Sequence, residues 1–411
     1  MKTRLRVVAS DAVPGSKSAR GPRAAPAHAG MAPVLASASA AATFLLVVYH
    51  VRYLLFSSYA TVASGSLALS AFYFVSGLGH QAFAMYFVTH GYLFARSIAK
   101  RQGARDYAAF IANKLARTYA VLLPVLALGL VLDLAGSRYL NGAGLYTAFP
   151  DFSVVTLDAR TLLGQLFVAE PFLVPTFGSN GVLWVFAYEW WFCCLFLLLA
   201  YLLDRWRWLG VAACVGAVLG LVRLFPAPYV AWLLIWLVGA AVLLCGASAR
   251  VVPLRLALPV FVAALTVSRY MESRVALLDG ADALRFSFIK DMSFALGFGL
   301  VLLALQGRAG RTKHARSPPG RLVATANRFS YSLFFGHFPV MMFIVAAATR
   351  LFGLPLKHAP DVVTVLAFVL VTLAMYAAGW GVYLVSERHG PALARMLLRR
   401  IRGRPPLQEG P

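Results

Sequence analysis

The first apolar run of the chain, residues 34–56, reads VLASASAAATFLLVVYHVRYLLF and carries two basic residues, His50 and Arg52. A helix needs roughly 20 predominantly apolar residues to cross the hydrocarbon core of a bilayer, and this run is long enough. Runs of similar length follow at about 78–97, 117–136, 183–203, 208–224, 229–247, 254–269, 286–305, 329–349 and 362–385. The pattern predicts an all-α, polytopic bundle of about ten transmembrane helices.

The composition supports a membrane protein and excludes several soluble classes. Of the 411 residues, 60% are apolar and 13% are charged, whereas an average soluble domain has roughly 25% charged residues. So little polar surface does not cover a water-soluble globule, which excludes an ordinary cytosolic enzyme, an intrinsically disordered chain and a disulfide scaffold. We attribute the formal net charge of +23 to cytoplasmic flanks that meet anionic lipid, and we expect no nucleic-acid partner.

The connectors between the runs alternate between basic and neutral, which predicts the orientation. Residues 57–77, for example, contain no Lys or Arg. By the positive-inside rule, the alternation places both termini in the cytoplasm of a multi-pass protein of the plasma (inner) membrane. We divide the chain into a disordered basic tail (1–33), a transmembrane domain (34–390) and a basic cytoplasmic C-terminal tail (391–411).

The longest connector on the outer side, residues 137–182, leaves two interpretations open. Loops of this length are often functional, and this one is apolar enough to fold back over the outer mouth of the bundle as a lid or re-entrant piece. The alternative is a loose surface loop.

His50 is the first candidate catalytic residue. Counted from the expected start of the hydrocarbon near Ala38, it lies roughly 18 Å along the helix, about the middle of the membrane. An imidazole there can accept a proton near neutral pH. The alternative is an inter-helix hydrogen bond. Arg52, two residues further on, faces another side of the helix.

Three further ionisable residues are candidates. Lys114 and Arg117 are three residues apart and therefore share a helical face where their helix enters from the cytoplasm. Two cations in this arrangement suit the phosphate oxygens of a nucleotide-bearing donor. Glu189 lies near the outer end of its run.

Behind His50, five short motifs follow in order along residues 40–390. They are Tyr86-Phe87-Val88-Thr89-His90-Gly91-Tyr92; Phe110, Lys114, Arg117 and Tyr119; Trp184 with Glu189; Ser330-Tyr331-Ser332-Leu333-Phe334-Phe335-Gly336-His337; and Glu387-Arg388. This order resembles the type-three family of membrane acyltransferases, the bacterial integral membrane O-acyltransferases with an acyltransferase 3 domain. The chain departs from the family at three positions. Ser39 and Lys114 replace Arg, and His90 replaces Ser.

The resemblance implies an enzyme that moves an acyl group, with acetyl expected, from a cytoplasmic acyl-CoA donor to a hydroxyl of a glycan, a lipid or another acceptor. It makes His50 and Glu189 the catalytic residues. His50 would act as general base or through a transient acyl-His, and Glu189 would orient the acceptor or polarise another side chain. Lys114 and Arg117 would hold the donor's phosphates. Besides donor and acceptor, only membrane lipid is an expected partner, and no metal is expected.

Two other function classes remain. A transporter or flippase would use His and Arg at depth as a proton or substrate path, but the sequence contains no internal repeat to support it. A transferase with a lipid-linked sugar donor would need acidic residues that hold a metal pyrophosphate, and Asp151, Asp158 and Glu170 in the long connector are widely spaced.

Overall fold

The structure is a computed structural model, which describes residues 30–62, 66–99, 106–147, 155–224, 226–246, 252–275, 277–311 and 320–403. Over these ranges the backbone is helical, with short 3-10 turns and only isolated β-bridges. The helices are α1 (Ala32–Leu55), α2 (Leu67–Ser76), α3 (Gly79–Ala99), α4 (Tyr107–Tyr139), α5 (Ala159–Leu166), α6 (Leu183–Arg205), α7 (Arg207–Leu224), α8 (Ala227–Cys245), α9 (Leu254–Val275), α10 (Gly280–Arg311), α11 (Arg321–Phe352), α12 (Val362–Val385) and α13 (Gly390–Ile401).

The predicted all-α multi-pass bundle is confirmed, although fewer helices qualify as spans than the ten predicted. Each predicted run lies on a helix, but within the described ranges eight helices are long and apolar enough to cross a membrane. Those that fall short are α3 and α7. The polar side chains of His80, Gln81 and His90 lower the hydropathy of α3, and the apolar described part of α7, Arg207–Ala217, is short.

Helix α3 lies inside the bundle, where it packs against α1, α8 and α10. Its closest neighbour is α8, because glycines stand where the two backbones meet. A Cβ added at Gly239 would lie 2.7 Å from the backbone nitrogen of Tyr92, and one added at Gly91 would collide with the carbonyl of Trp236. Small residues allow membrane helices to approach in this way. The contact fixes the depth at which α3 presents its polar side chains.

The described end of the long connector, residues 155–182, folds back onto the bundle, which agrees with the first of the two interpretations of residues 137–182. One attachment begins with Pro339 inside α11. Because proline has no N–H, the carbonyl of Phe335 loses its helical donor. The side-chain amide of Asn180 donates to that carbonyl at 2.8 Å. The kinked helix is thereby joined to the segment that precedes α6.

Asp133 of α4 makes the second attachment. Its two carboxylate oxygens accept from the backbone N–H and from the hydroxyl of Ser179, both at 2.7 Å. The preceding Gly178 has φ +66°, and a Cβ there would collide with the Asp133 carboxylate. Two buried hydrogen-bonded anchors therefore hold residues 178–180 in place, which a loose surface loop would not have.

The two predicted tails differ in what the structure describes. Most of the N-terminal tail, residues 1–29, lies outside the described ranges, and α1 already begins at Ala32. The predicted C-terminal tail, residues 391–411, is helical up to Ile401, because α13 packs against α4. Arg402, just after α13, pairs with Asp106 at the start of α4.

Candidate functional site

The candidate site begins with a pair of histidines from α1 and α11, 287 residues apart. The Nδ1 atom of His50 lies 2.9 Å from Nε2 of His337. The Nδ1 atom of His337 faces two carbonyl oxygens, 3.1 Å from Leu333 and 2.8 Å from Phe334. Carbonyls only accept, so this Nδ1 carries a proton and the opposite Nε2 is an acceptor. The network therefore assigns a proton to Nδ1 of His50 and leaves its Nε2 with a free lone pair.

His50 lines a cavity of about 540 Å³, within the usual range for a small-molecule site. Its walls come from α1, α3, α6, α11 and the folded-back connector. The lining residues are Tyr49, His50, Tyr53, His80, Phe83, Thr176, Ser179, Gly181, Trp184 and Phe338. We call this space the His50 cavity. It has an imidazole base, aromatic rings and hydroxyl groups on one concave surface.

His50 lies nearer the C-terminal end of α1 than its start, and its mid-membrane depth stays a prediction. At 1.5 Å per residue, it lies about 27 Å from the start of the helix at Ala32 and about 8 Å from its end at Leu55. Thr176 and Ser179 of the long connector line the same cavity. The imidazole therefore belongs to the end of the bundle that carries the connector, which the topology prediction assigns to the outer side.

A second polar group, which we call the Glu189 cluster, lies deeper in the bundle. The ammonium of Lys114 is 2.8 Å from Glu189 Oε1, and the Tyr86 hydroxyl donates to Oε2 at 2.6 Å. The Nδ1 atom of His90 is 3.4 Å from the same Oε2. The sequence had placed Lys114 at the cytoplasmic mouth and Glu189 near the outer face, and the structure instead joins them in one ion pair. Lys114 is therefore not a free phosphate ligand.

Arg117 is the more accessible of the two predicted donor-binding cations. Its guanidinium lies 4.5 Å from the centre of the Tyr331 ring, a cation–π distance, and its side chain is exposed. Glu189 and Glu387 are the carboxylates close enough to interact with it electrostatically. Glu387 itself accepts from the hydroxyl and backbone N–H of Ser332. Arg117 therefore keeps hydrogen-bonding capacity for a ligand.

Aromatic rings separate His50 from the Glu189 cluster. The Tyr86 ring stacks on Phe334 at a centroid distance of 4.4 Å, and Phe334 lies 6.2 Å from Phe83, which in turn faces His50 at 6.4 Å. We call Phe83, Tyr86 and Phe334 the aromatic layer. Arg117 is not among the lining residues of the His50 cavity. The structure thus brings Lys114, Glu189 and Arg117 into one region and leaves His50 in another.

Two contributors were missed at the sequence level. The sequence offers His337 only as the last residue of a motif, and the structure shows that it fixes the tautomer of the candidate base. Tyr86 was noted only as part of a motif, yet it contributes both to the aromatic layer and to the Glu189 cluster. Pro339, two residues after His337, was the one local signal that α11 departs from regular hydrogen bonding here.

Comparisons of the chain with family models, curated proteins and solved structures find no match. The resemblance to membrane acyltransferases therefore rests on the motif residues alone. In the described ranges no group of three or more His, Cys, Asp or Glu side chains is placed to hold a metal ion. The site brings together imidazole, hydroxyl, carboxylate and guanidinium groups.

Proposed function

We propose that this chain is an integral membrane acyltransferase. It moves an acyl group, acetyl in the first instance, from an acyl-CoA donor on the cytoplasmic side to a hydroxyl acceptor in the His50 cavity. The observation that carries the proposal is the His50–His337 pair, which leaves one imidazole nitrogen as a free acceptor on a cavity wall. An oriented imidazole of this kind is the usual general base for activating a hydroxyl.

The proposed reaction uses His50 as base and then as acid. Its Nε2 takes the proton of the acceptor hydroxyl while the oxygen attacks the thioester carbonyl. The Nδ1–H bond to His337 holds the resulting imidazolium in place. The tetrahedral intermediate then breaks its C–S bond, and His50 returns the proton to the departing thiolate. In a variant of the same scheme Nε2 attacks the thioester carbonyl first, and the C–S bond breaks to release the CoA thiolate and leave a transient acyl-His. The acceptor hydroxyl then attacks the acyl carbonyl, its proton passes to the thiolate, and the bond from the carbonyl to Nε2 breaks to restore the imidazole.

Arg117 is the proposed phosphate ligand of the donor, because its guanidinium offers paired N–H groups to phosphate oxygens. Glu189 orients Lys114 and Tyr86 around the donor path instead of contacting the acceptor. The acyl-bearing arm must pass the aromatic layer to reach His50, so the proposal requires the Phe334 ring to swing aside during turnover. The thioester itself supplies the activation, and the scheme uses no metal.

The remaining assignments belong to the same proposal. The donor is acyl-CoA, with acetyl-CoA as the first to test, and the acceptor is a glycan, a lipid or another hydroxyl compound. The proposed location is the plasma (inner) membrane with both termini in the cytoplasm, and no nucleic acid takes part. The apolar spans support a membrane location, and the alternating basic connectors support the orientation.

The test is acyl transfer from radiolabelled acetyl-CoA in vesicles that contain the purified protein and a mixture of candidate acceptors. We expect label on the acceptor with the normal chain and none above background with His50→Ala, because general-base catalysis contributes roughly 10²- to 10⁴-fold. His358→Ala is the matched control, since His358 is exposed and outside the His50 cavity. Normal transfer by His50→Ala would refute the assignment.

A second candidate function is a proton-coupled transporter or flippase, and the aromatic layer favours it. A transporter with a closed gate would also have two polar regions, an outward-facing cavity and an inner site, separated by packed aromatic rings. Reconstituted vesicles with an imposed pH gradient separate the two functions. Solute uptake that follows the gradient, without label transfer from acetyl-CoA, would replace the acyltransferase with a transporter.

A further inference from the structure

A second cavity adjoins the His50 cavity and has no assigned role in the scheme above. It encloses about 400 Å³, and Tyr49 and Tyr53 of α1 line both spaces. These two residues are four apart and share one face of α1, so they form a common wall. Arg52 projects into the second cavity, which we call the Arg52 cavity. Its other polar lining comes from Ser58, Ser70, Arg269 and Glu272.

Most charges around the Arg52 cavity are paired with one another. Glu272 lies 3.5 Å from Arg269 and 3.4 Å from Lys290, and it accepts from Gln81 at 3.3 Å. Asp291 lies 3.6 Å from Lys290. Two cations and two carboxylates therefore balance. The remaining charge is that of Arg52.

Arg52 forms no ion pair or hydrogen bond with any residue in the described ranges, and its Nε is buried without a partner. Its guanidinium lies between two rings, 5.7 Å from the centre of Tyr49 and 5.6 Å from that of Tyr73. Holding an unpaired cation in a partly buried place is costly, and such residues commonly mark a substrate or ion site. Arg52 lines the cavity, where a ligand could reach its guanidinium.

The opposite side of the cavity also presents a guanidinium with unused capacity. Arg269 donates through Nη1 to the carbonyl of Gly77 at 2.8 Å, while its Nε is buried without a partner. Gly77 makes room for it, because a Cβ there would lie only 2.5 Å from Nη2. Arg52 is close enough to Arg269 to be repelled by it, and the attraction of Glu272 offsets that repulsion only in part. A bound anion would relieve that repulsion and satisfy both groups.

We propose that the Arg52 cavity binds an oxyanion, a phosphate or a carboxylate group, carried by the acceptor. Paired N–H donors of arginine match the two oxygens of such a group. The acceptor then spans the wall formed by Tyr49 and Tyr53, with its anionic group at Arg52 and its reacting hydroxyl at His50. The anion site stands on geometry alone, whereas its assignment to an acceptor rests on the proposed acyltransferase function.

The anion site is tested by calorimetric titration of the full-length protein in detergent, with inorganic phosphate and methyl glucuronide as probes. We expect saturable binding of at least one probe and a loss of about tenfold or more in Arg52→Gln, because hydrogen bonds to a charged group contribute roughly 1.5–3 kcal/mol. Arg274→Gln is the control, since Arg274 is an exposed arginine of α9 that contacts its own Tyr270. Arg52→Lys keeps the positive charge but loses the paired N–H donors of the guanidinium, so it should bind with intermediate affinity.

Two results would overturn the anion site. One is that neither probe binds saturably to the normal chain, and the other is that Arg52→Gln binds as well as Arg274→Gln. If Arg52→Gln does not fold, Arg52→Lys with unchanged affinity for phosphate and for glucuronide also overturns it. The same titration with His50→Ala should give normal binding. If the normal chain binds the anion but transfers no acyl group, the proposed function fails while the anion site stands.

The source of the anion is tested in two further arms. The phosphate titration is repeated in phosphatidylglycerol nanodiscs to distinguish an acceptor group from a lipid headgroup. If a lipid headgroup occupies the site, the phosphate binding seen in detergent is lost in the nanodiscs. That loss would overturn the acceptor assignment. In the labelled transfer assay, a sugar phosphate should be acylated faster than the matching neutral sugar. That preference should disappear in Arg52→Gln and persist in Arg274→Gln. A neutral sugar preferred by the normal chain would also contradict the acceptor assignment.

Discussion

The Glu189 cluster and the His50 cavity both contain buried ionisable side chains, but they differ in how fully those groups are used. In the Glu189 cluster, Lys114 and Tyr86 donate to the two carboxylate oxygens, and His90 lies 3.4 Å away. In the His50 cavity the imidazole has one hydrogen-bond partner, His337, and a neighbouring volume of about 540 Å³. The first arrangement is closed, whereas the second leaves an acceptor facing open space.

This difference guides the assignment of roles. A buried charge whose partners are all present stabilises one arrangement of helices and leaves little capacity for a substrate. A buried polar group on a cavity wall has lost its hydration, and an atom of it that forms no hydrogen bond does not recover that free energy in the free protein. A ligand is therefore its expected partner. The same reasoning gives His50 a chemical role, Arg52 a binding role and Lys114 mainly a structural one.

The largest expected effect comes from breaking the closed cluster. Lys114→Met leaves the Glu189 carboxylate without its ion pair and should lower the free energy of unfolding by about 3–5 kcal/mol. The double variant Lys114→Met, Glu189→Gln should recover part of the loss, because no carboxylate is then left uncompensated. The measurement is denaturant unfolding in mixed micelles, followed by tryptophan fluorescence.

The matched control is the exposed pair between Arg285 and Asp282, where Arg285→Met should cost less than about 1 kcal/mol. A cost for Lys114→Met as small as that of the control would show that the cluster is not a closed structural unit. The contrast with the His50 cavity would then disappear.

The second prediction concerns the open side of the comparison. His337→Ala removes the acceptor of the His50 Nδ1–H, so the imidazole of His50 is no longer held in one tautomer. We expect kcat for acyl transfer to fall by about 10²-fold or more with little change in KM, since loss of a tautomer-fixing partner acts on the transition state. His337→Gln, which restores an acceptor oxygen, should recover part of the rate.

The pH profile gives a readout that a purely structural role would not change. In His337→Ala the basicity of His50 should change, so the acid limb of the kcat profile should shift relative to the normal chain. An unchanged kcat and an unchanged limb in His337→Ala would assign the hydrogen bond between His50 and His337 to helix packing alone.

The sequence was sufficient to predict the helical bundle, because long apolar runs indicate membrane-spanning helices directly. It also made His50 a candidate, since an imidazole in such a run needs an explanation. It did not reveal that Lys114 and Glu189 meet, because periodicity gives the face of a helix but not its axial offset against a neighbour. The pairing of His50 with His337 depends on the packing of α1 against α11, which no local pattern encodes.

Arg52 shows a different limit of sequence reasoning. The sequence placed it on another face of α1 from His50, and no acid occurs in that run to neutralise it. Its environment depends on Arg269 and Glu272 of α9, more than 200 residues away in the chain. The balance of charges around it becomes visible only once the helices are assembled.

The third prediction tests the anchor that holds the connector over the His50 cavity. Asn180→Ala leaves the carbonyl of Phe335 without a donor, which should cost about 1–3 kcal/mol in unfolding free energy. In a Pro339→Ala background the helix regains an N–H that can serve this carbonyl, so Asn180→Ala should cost less there. A double-mutant cycle measures the coupling. Additive effects would mean that Asn180 does not compensate for the proline.

The smallest expected effect is a pH dependence of stability that arises in the folded-back connector. It tests whether the buried groups in this wall of the His50 cavity are fully paired within the connector. Glu170 is buried there and accepts from Thr176 at 2.5 Å and from Gln165. Burial raises the pKa of the Glu170 carboxyl to about 7, above its ordinary value of 4.5. Because the folded state favours the protonated form, this stabilisation is fully present below about pH 4.5 and is lost as the pH rises through about 7.

We therefore expect the free energy of unfolding to fall by on the order of 1 kcal/mol per pH unit between pH 5 and 7, and the thermal midpoint in detergent to fall with it. Glu170→Gln cannot ionise, so its thermal midpoint should depend less on pH. At pH 8 its thermal midpoint should equal or exceed that of the normal chain. Asp158→Asn is the control, because Asp158 is an exposed carboxylate that caps α5 in the same connector. Equal slopes in the normal chain and in Glu170→Gln would mean that Glu170 is ionised in its buried place, and the connector would then need a cation to close it.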